Sequence, residues 1–145
     1  MKKIFLIPVL ILSGFAVMAQ QSAGRLEKLD AYVYQTKLVH MLHSLVDVRT
    51  PDEFASGTIP GAMNIEWESE GFKEAAAKLP QYKPVFLFCQ GGYRSAQAAE
   101  WFLKKGYSTV IILDGGYDAW KAYGFPTTEQ QEANPNQSPG SYDPD

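Results

Sequence analysis

Cys89 is the only cysteine of a 145-residue chain, and the residue types that follow it are those that turn a thiol into a nucleophile. The segment Cys89-Gln90-Gly91-Gly92-Tyr93-Arg94-Ser95 lies between an apolar run, Val85 to Phe88, and an amphipathic stretch, Ser95 to Lys105. Gly91 and Gly92 permit left-handed or otherwise strained backbone angles, so successive amide N–H groups can turn toward one centre. A helix starting after the loop adds its free first-turn N–H groups and the positive end of its dipole. Such a cradle favours a thiolate over a thiol. Arg94 contributes a permanent positive charge and a planar fork suited to oxyanions, and Ser95 can cap the helix or donate a hydroxyl hydrogen bond. The same spot that activates the sulfur would attract a small dianion such as thiosulfate. A cysteine that served only as a small buried hydrophobe would need none of these neighbours.

The elements around this loop read as an alternation of strands and helices. Arg25 to Leu42 has apolar Leu26, Leu29, Val33, Leu38 and Leu42 at mostly helical intervals, which predicts a helical lead-in with His40 and His43 at its end. Leu45 to Arg49 is short and β-branched. It runs into Thr50-Pro51-Asp52-Glu53-Phe54, where Thr50 is an N-cap, Pro51 suits the first helical position and Glu53 completes a capping box. Gly57-Thr58-Ile59-Pro60-Gly61 ends that helix, Ala62 to Ile65 predicts another brief strand, and Gly71 to Leu79 a helix. Val85 to Phe88 is apolar at every position, as expected of a strand covered on both faces. Ala98, Ala99, Trp101, Phe102 and Leu103 give the helix of Ser95 to Lys105 its apolar stripe, and Gly106 stops it. Thr109 to Leu113 predicts a last strand, followed after Asp114-Gly115-Gly116 by a helix over Tyr117 to Tyr123. This order implies an α/β domain with a mainly parallel central sheet and helices on both faces. Ligands in such sheets bind beyond the carboxyl ends of the strands, where Cys89 falls.

Bulk properties bound the rest. Lys2 and Lys3 precede the apolar run Ile4 to Leu12, and small residues lead to Ala19, so residues 1–19 are expected to be a signal peptide cleaved before Gln20. The apolar run is short of the roughly 20 residues a membrane span needs, and Pro8 interrupts it; a retained anchor is the alternative reading. The mature chain is therefore expected in the periplasm or the medium, without stable membrane association. Two of the 13 basic residues lie in the leader, leaving 11 against 16 acidic ones, a balance that argues against nucleic acid or anionic lipid as a partner. The remaining 126 residues suit one domain, over residues 25–126, with 127–145, rich in Pro, Asn, Gln and Ser, expected to be a disordered tail. A lone cysteine in an exported chain can form no internal disulfide.

The loop resembles the six-residue active-site loop of the rhodanese family, which begins with cysteine and here reads Cys-x4-Arg. Asp47-Val48-Arg49-Thr50-Pro51-Asp52-Glu53-Phe54 with Gly57-Thr58-Ile59-Pro60-Gly61-Ala62 is similar to that family's first signature, and Leu113-Asp114-Gly115-Gly116-Tyr117-Asp118-Ala119-Trp120 to its second. Thr58 departs from the histidine usual there, a change expected to affect packing near the site. The resemblance implies a rhodanese-like α/β fold and a single-domain thiosulfate sulfurtransferase that needs no cofactor or metal. Cys89 would attack the outer sulfur of a donor such as thiosulfate, release sulfite and become a persulfide, and a thiol, cyanide or a protein would accept the sulfur. Carried over by position, Cys89 is the catalytic nucleophile, Gln90, Gly91, Gly92, Tyr93, Arg94 and Ser95 bind substrate, and Arg94 pairs with the anionic donor. Asp47 and Arg49 either support the loop from the sheet edge or form only a strand-end ion pair with Glu53.

Rival chemistries fit less well. No histidine follows Cys89 to make a papain-like pair, and two histidines without a second cysteine or an acidic cluster do not make a zinc site. A cysteine phosphatase cradles phosphate in a Cys-x5-Arg loop, one residue longer than this one. Disulfide or arsenate reduction needs a resolving thiol. A noncatalytic module that carries or senses persulfide and docks to a partner is the alternative from another class. Tyr93 is either a steering aromatic at the loop rim or simply exposed, whereas Trp101, Trp120, His40 and His43 read as structural.

Overall fold

The computed structural model describes residues 24–129. Five strands form one parallel sheet in the order β1-β5-β4-β2-β3, comprising β1 (Arg25–Leu29), β2 (Ser44–Asp47), β3 (Met63–Asn64), β4 (Val85–Phe88) and β5 (Thr109–Leu113). The helices are α1 (Ala31–His40), α2 (Pro51–Ala55), α3 (Phe72–Ala77), α4 (Tyr93–Lys104) and α5 (Gly116–Ala122). The alternating parallel α/β order expected from the sequence is present. All four residues of β4 are buried because it is the central strand and both its faces are covered.

The two faces have separate cores set by the period-two alternation of the strands. Val85, Leu87, Val110 and Ile112 face α3 and α4, where they meet Phe72, Ala76, Ala98, Ala99, Phe102 and Tyr107; Cys89 continues this alternation onto the same face. Phe86, Phe88, Ile111 and Leu113 face α1 and α5, against Tyr34, Tyr117, Trp120 and Phe125. A cavity of about 190 Å³ between α1 and α5, lined in part by Leu38, Ile59 and Trp120, interrupts this second layer away from the cysteine loop. The chain leaves β2 toward β3 and leaves β4 toward β5, so the connections after these neighbouring strands diverge and open a crevice at their carboxyl ends.

The expected lead-in helix over Arg25 to Leu42 is instead a strand followed by a helix. Asp30 divides them: its Oδ1 accepts a hydrogen bond from the Val33 N–H at 3.0 Å, capping α1, while β1 pairs in register with β5 from Arg25 opposite Thr109 to Leu29 opposite Leu113. An edge strand needs few apolar positions, so pairing with β5 overrides the helical spacing of Leu26 and Leu29. The α4 helix begins at Tyr93, two residues ahead of the predicted start, because Gly92 takes the N-cap position at φ 101°. The expectation of a disordered tail from residue 127 fails for its first residues: Thr127 is buried, and Thr128 exchanges hydrogen bonds with Thr58 through its N–H (3.0 Å to O) and its Oγ1 (3.0 Å from N). The signal-peptide expectation for residues 1–19 and the tail beyond 129 lie outside the described residues.

The hydroxyl of buried Tyr107 lies 2.8 Å from the Ala76 carbonyl and 2.9 Å from that of Leu79, closing the end of α3 over the core. Tyr107→Phe leaves these carbonyls without that donor and is expected to lower stability by about 1–2 kcal/mol, read as a lower urea midpoint at unchanged m-value.

Candidate active site

Cys89 follows β4 directly, and the turn to α4 wraps around its sulfur. The Gly92 N–H points at Sγ from 3.1 Å and the Ser95 N–H from 3.5 Å. The left-handed angle at Gly92 aims the first of these inward, a conformation that favours glycine. Gly91 has no positive φ, and a Cβ there would meet nothing within 4 Å, so its glycine is needed neither for backbone angle nor for space. Ser95 is fully buried beneath the sulfur; its Oγ accepts from the Cys89 thiol at 3.6 Å while donating to the Gly92 carbonyl at 3.0 Å. When the thiol ionises, rotation of that hydroxyl would give the sulfur a third donor. The sulfur thus sits at the N-terminus of the twelve-residue α4, where free amides and the helix dipole favour negative charge.

The loop is braced from outside by four hydrogen bonds that the sequence did not reveal. The first amides of α5 bind its carbonyls, Tyr117 N–H to Cys89 O at 2.8 Å and Asp118 N–H to Gln90 O at 3.1 Å. Gly116 makes this approach possible, since a Cβ there would lie 2.3 Å from Cys89 O and 2.5 Å from Gln90 O. The Gln90 side chain points away from the sulfur: its Oε1 accepts from Arg49 Nη1 at 3.0 Å and its Nε2 donates to Asp118 Oδ1. The glycine pair at 115 and 116 before a helix was the one signal in the sequence that two backbones must meet here.

Asp47 and Arg49 lie beneath the loop, 0% and 2% exposed. The guanidinium forms a close pair with Asp47 at 2.7 Å, donates to the Gly57 carbonyl at 2.6 Å, and lies 4.3 Å from the centre of the Tyr117 ring. Thr58, in place of the family's histidine, is buried and donates from Oγ1 to Asp47 Oδ2 at 2.8 Å. Glu53 takes no part in this pair, contrary to one of the two expectations. Its Oε2 accepts from Thr50 N–H at 3.0 Å in the predicted capping box, and its carboxylate receives both Nη groups of Arg94, at 2.7 and 2.8 Å. Those bonds hold the Glu53 carboxyl down at about 2, against the ordinary 4.5, with burial opposing and the Thr50 bonds assisting. Arg94 is in turn pushed above its usual value, first by Glu53 and also by the nearby Cys89 sulfur. The guanidinium expected to await an anionic donor is already held by a carboxylate. Tyr93 is 76% exposed at the rim.

A family model described as the rhodanese-like domain matches residues 26–123. The chain belongs to the rhodanese-like domain family. Among similar proteins, a protein named sulfurtransferase from Allochromatium vinosum is 37% identical over 82 residues, covering 57% of this chain and 75% of its own length. The thiosulfate sulfurtransferase GlpE of Pseudomonas aeruginosa is 37% identical over 89 residues, covering 61% and 79%. The rhodanese-related protein of Thermoplasma volcanium superimposes with a TM-score of 0.62 at 26% identity, over 70% of this chain and 96% of that one. The rhodanese-like fold and a sulfurtransferase class follow for this domain. His40 and His43 lie apart from the site: His40 ends α1, and the His43 ring packs 5.1 Å from Phe86.

Removing one partner of the buried pair strands a charge, so Arg49→Met is expected to cost about 3–5 kcal/mol in chemical unfolding. Glu53, with its side chain 31% exposed, contributes less. Because its folded carboxyl is depressed to about 2, its contribution is complete above 4.5 and lost as pH falls through 2. The stability difference between the unaltered protein and Glu53→Gln should be about 1 kcal/mol at neutral pH, shrink as pH falls below 4.5 and vanish only below the folded value of about 2 in urea titrations at each pH.

Proposed function

We propose that this protein is an exported sulfurtransferase that moves sulfane sulfur from thiosulfate or a similar donor to a thiol, cyanide or protein acceptor through a Cys89 persulfide. The observation that carries the reading is the cysteine sulfur at the start of α4, facing the Gly92 and Ser95 amides, with Arg94 beside it. In the first half-reaction the Cys89 thiolate attacks the outer sulfur of thiosulfate. The S–S bond of the donor breaks, sulfite leaves with the electron pair, and the new Cys89 S–S bond carries the negative charge on its terminal sulfur. In the second, an acceptor thiolate or cyanide attacks that terminal sulfur and the Cys89 thiolate is restored. The two amides that face Sγ hold negative charge at the start and end of each cycle, and the α4 terminus stabilises it as it shifts outward onto the persulfide. No second thiol takes part, in keeping with a chain that has a single cysteine. The lysines and apolar run of residues 1–12 support export to the periplasm or the medium.

Incubation with thiosulfate is expected to add about 32 Da to Cys89 in intact-mass spectra, the signature of persulfidation, and cyanide should then release thiocyanate with turnover. Cys89→Ser should abolish both signals. Loading without turnover by any small acceptor would identify a persulfide carrier in place of an enzyme, and no loading by either thiosulfate or an organic thiosulfonate would overturn the reading.

A further inference from the structure

Among the described residues, every cation close to the loop has a carboxylate partner. Arg49 is matched by Asp47 at 2.7 Å and Arg94 by Glu53 at 2.7 Å, while Asp118 receives the Gln90 amide at the rim and only approaches Lys121, at 3.9 Å. The Arg94–Glu53 pair is the one that a donor meets. Its side chains remain 21% and 31% exposed, whereas Asp47 and Arg49 are closed off. Both Nη groups of Arg94 donate to Glu53, so the edge of the fork that would clasp a dianion is occupied and much of its charge is offset. What remains for an incoming anion is the partial charge of the α4 terminus beside an Arg94 offset by Glu53, which suits a weaker charge than two full units.

We propose that Glu53 is a specificity-determining residue: by pairing with Arg94 it disfavours doubly charged inorganic thiosulfate and matches the loop to organic sulfur donors of single charge or none, thiosulfonates and persulfides. This rests on the sulfurtransferase reading of Cys89. With a thiosulfonate the step balances as before: the thiolate takes the terminal sulfur, the donor S–S bond breaks, and a sulfinate leaves with the electron pair.

The capping role of Glu53 can be separated from its charge, since glutamine also serves as the third residue of a capping box and keeps an acceptor for Arg94. Thiosulfate and methanethiosulfonate are close in shape and differ by one negative charge, so their ratio of kcat/KM reads the charge of the site. Glu53→Gln is expected to raise kcat/KM for thiosulfate about three- to tenfold and to change that for methanethiosulfonate much less, so that the ratio shifts toward the dianion. A merely structural role would move both donors together. An unchanged ratio, or one that shifts toward the monoanion, overturns the assignment of Glu53 while leaving the sulfurtransferase reading intact. The unaltered protein supplies a second test that does not depend on the variant folding. Its loading by thiosulfate should respond weakly to ionic strength, and a steep fall with salt, as for an unpaired cation meeting a dianion, overturns the proposal. If neither donor places sulfur on Cys89 of the unaltered protein, the sulfurtransferase reading fails and this proposal with it.

Discussion

A guanidinium shut away from water must give its N–H groups to fixed acceptors, and in this domain the acceptors of Arg49 come from three different parts of the chain. Asp47 at the end of β2 takes Nε and Nη2, the Gly57 carbonyl after α2 takes Nη2 again, and Gln90 in the cysteine loop takes Nη1, with the Tyr117 ring of α5 against its face. Thr58 and Asn64 add to the cluster, one through the Asp47 carboxylate and the other through the Asp47 and Arg49 carbonyls. Burying a charge is tolerable only when it is paired and fully hydrogen-bonded. The loop after β2, the loop after β4 and the start of α5 are therefore held in one mutual arrangement, and the cysteine loop inherits its shape from that arrangement.

Held in this way, the loop needs few direct contacts to the sulfur. Two amides and one hydroxyl surround Sγ, while the loop's own carbonyls and the Gln90 side chain are turned outward to α5 and Arg49. The separation matters for the proposed group transfer, in which the sulfur would change from thiolate to persulfide and back while the bracing bonds stay the same. Preorganised donors that do not rearrange are what make electrostatic stabilisation effective.

The central elements were legible from local pattern: Val85–Phe88 and Thr109–Leu113 have the predicted bounds, and Thr50 and Glu53 form the predicted capping box. These are features that neighbours in sequence decide. The first strand was not, because Arg25–Leu29 is a strand only by virtue of lying beside β5, more than eighty positions later. The site divides along the same line. The cysteine, its glycine and the helix start were visible as a run of residue types, and the Gly115-Gly116 step could have suggested a close approach of backbones. The second partner of Glu53 was hidden, since a carboxylate with two oxygens can satisfy a cap nearby and a guanidinium on another helix at once, and the sequence displays only the nearer of the two. Gln90 likewise read as part of the substrate cradle because its side-chain direction depends on Arg49 and Asp118, neither of which is adjacent to it in the chain.

The docking of α5 against the cysteine loop has a consequence for when the site comes into being. During synthesis the cysteine and the turn that follows it emerge well before Gly116, Tyr117 and Asp118, whose backbone fixes the loop carbonyls. Until those residues have been made and packed, and Thr128 has joined Thr58, the thiol belongs to an unbraced turn. The cradle around the sulfur is thus a property of the finished domain, and the nascent chain carries its single cysteine without the contacts that later surround it.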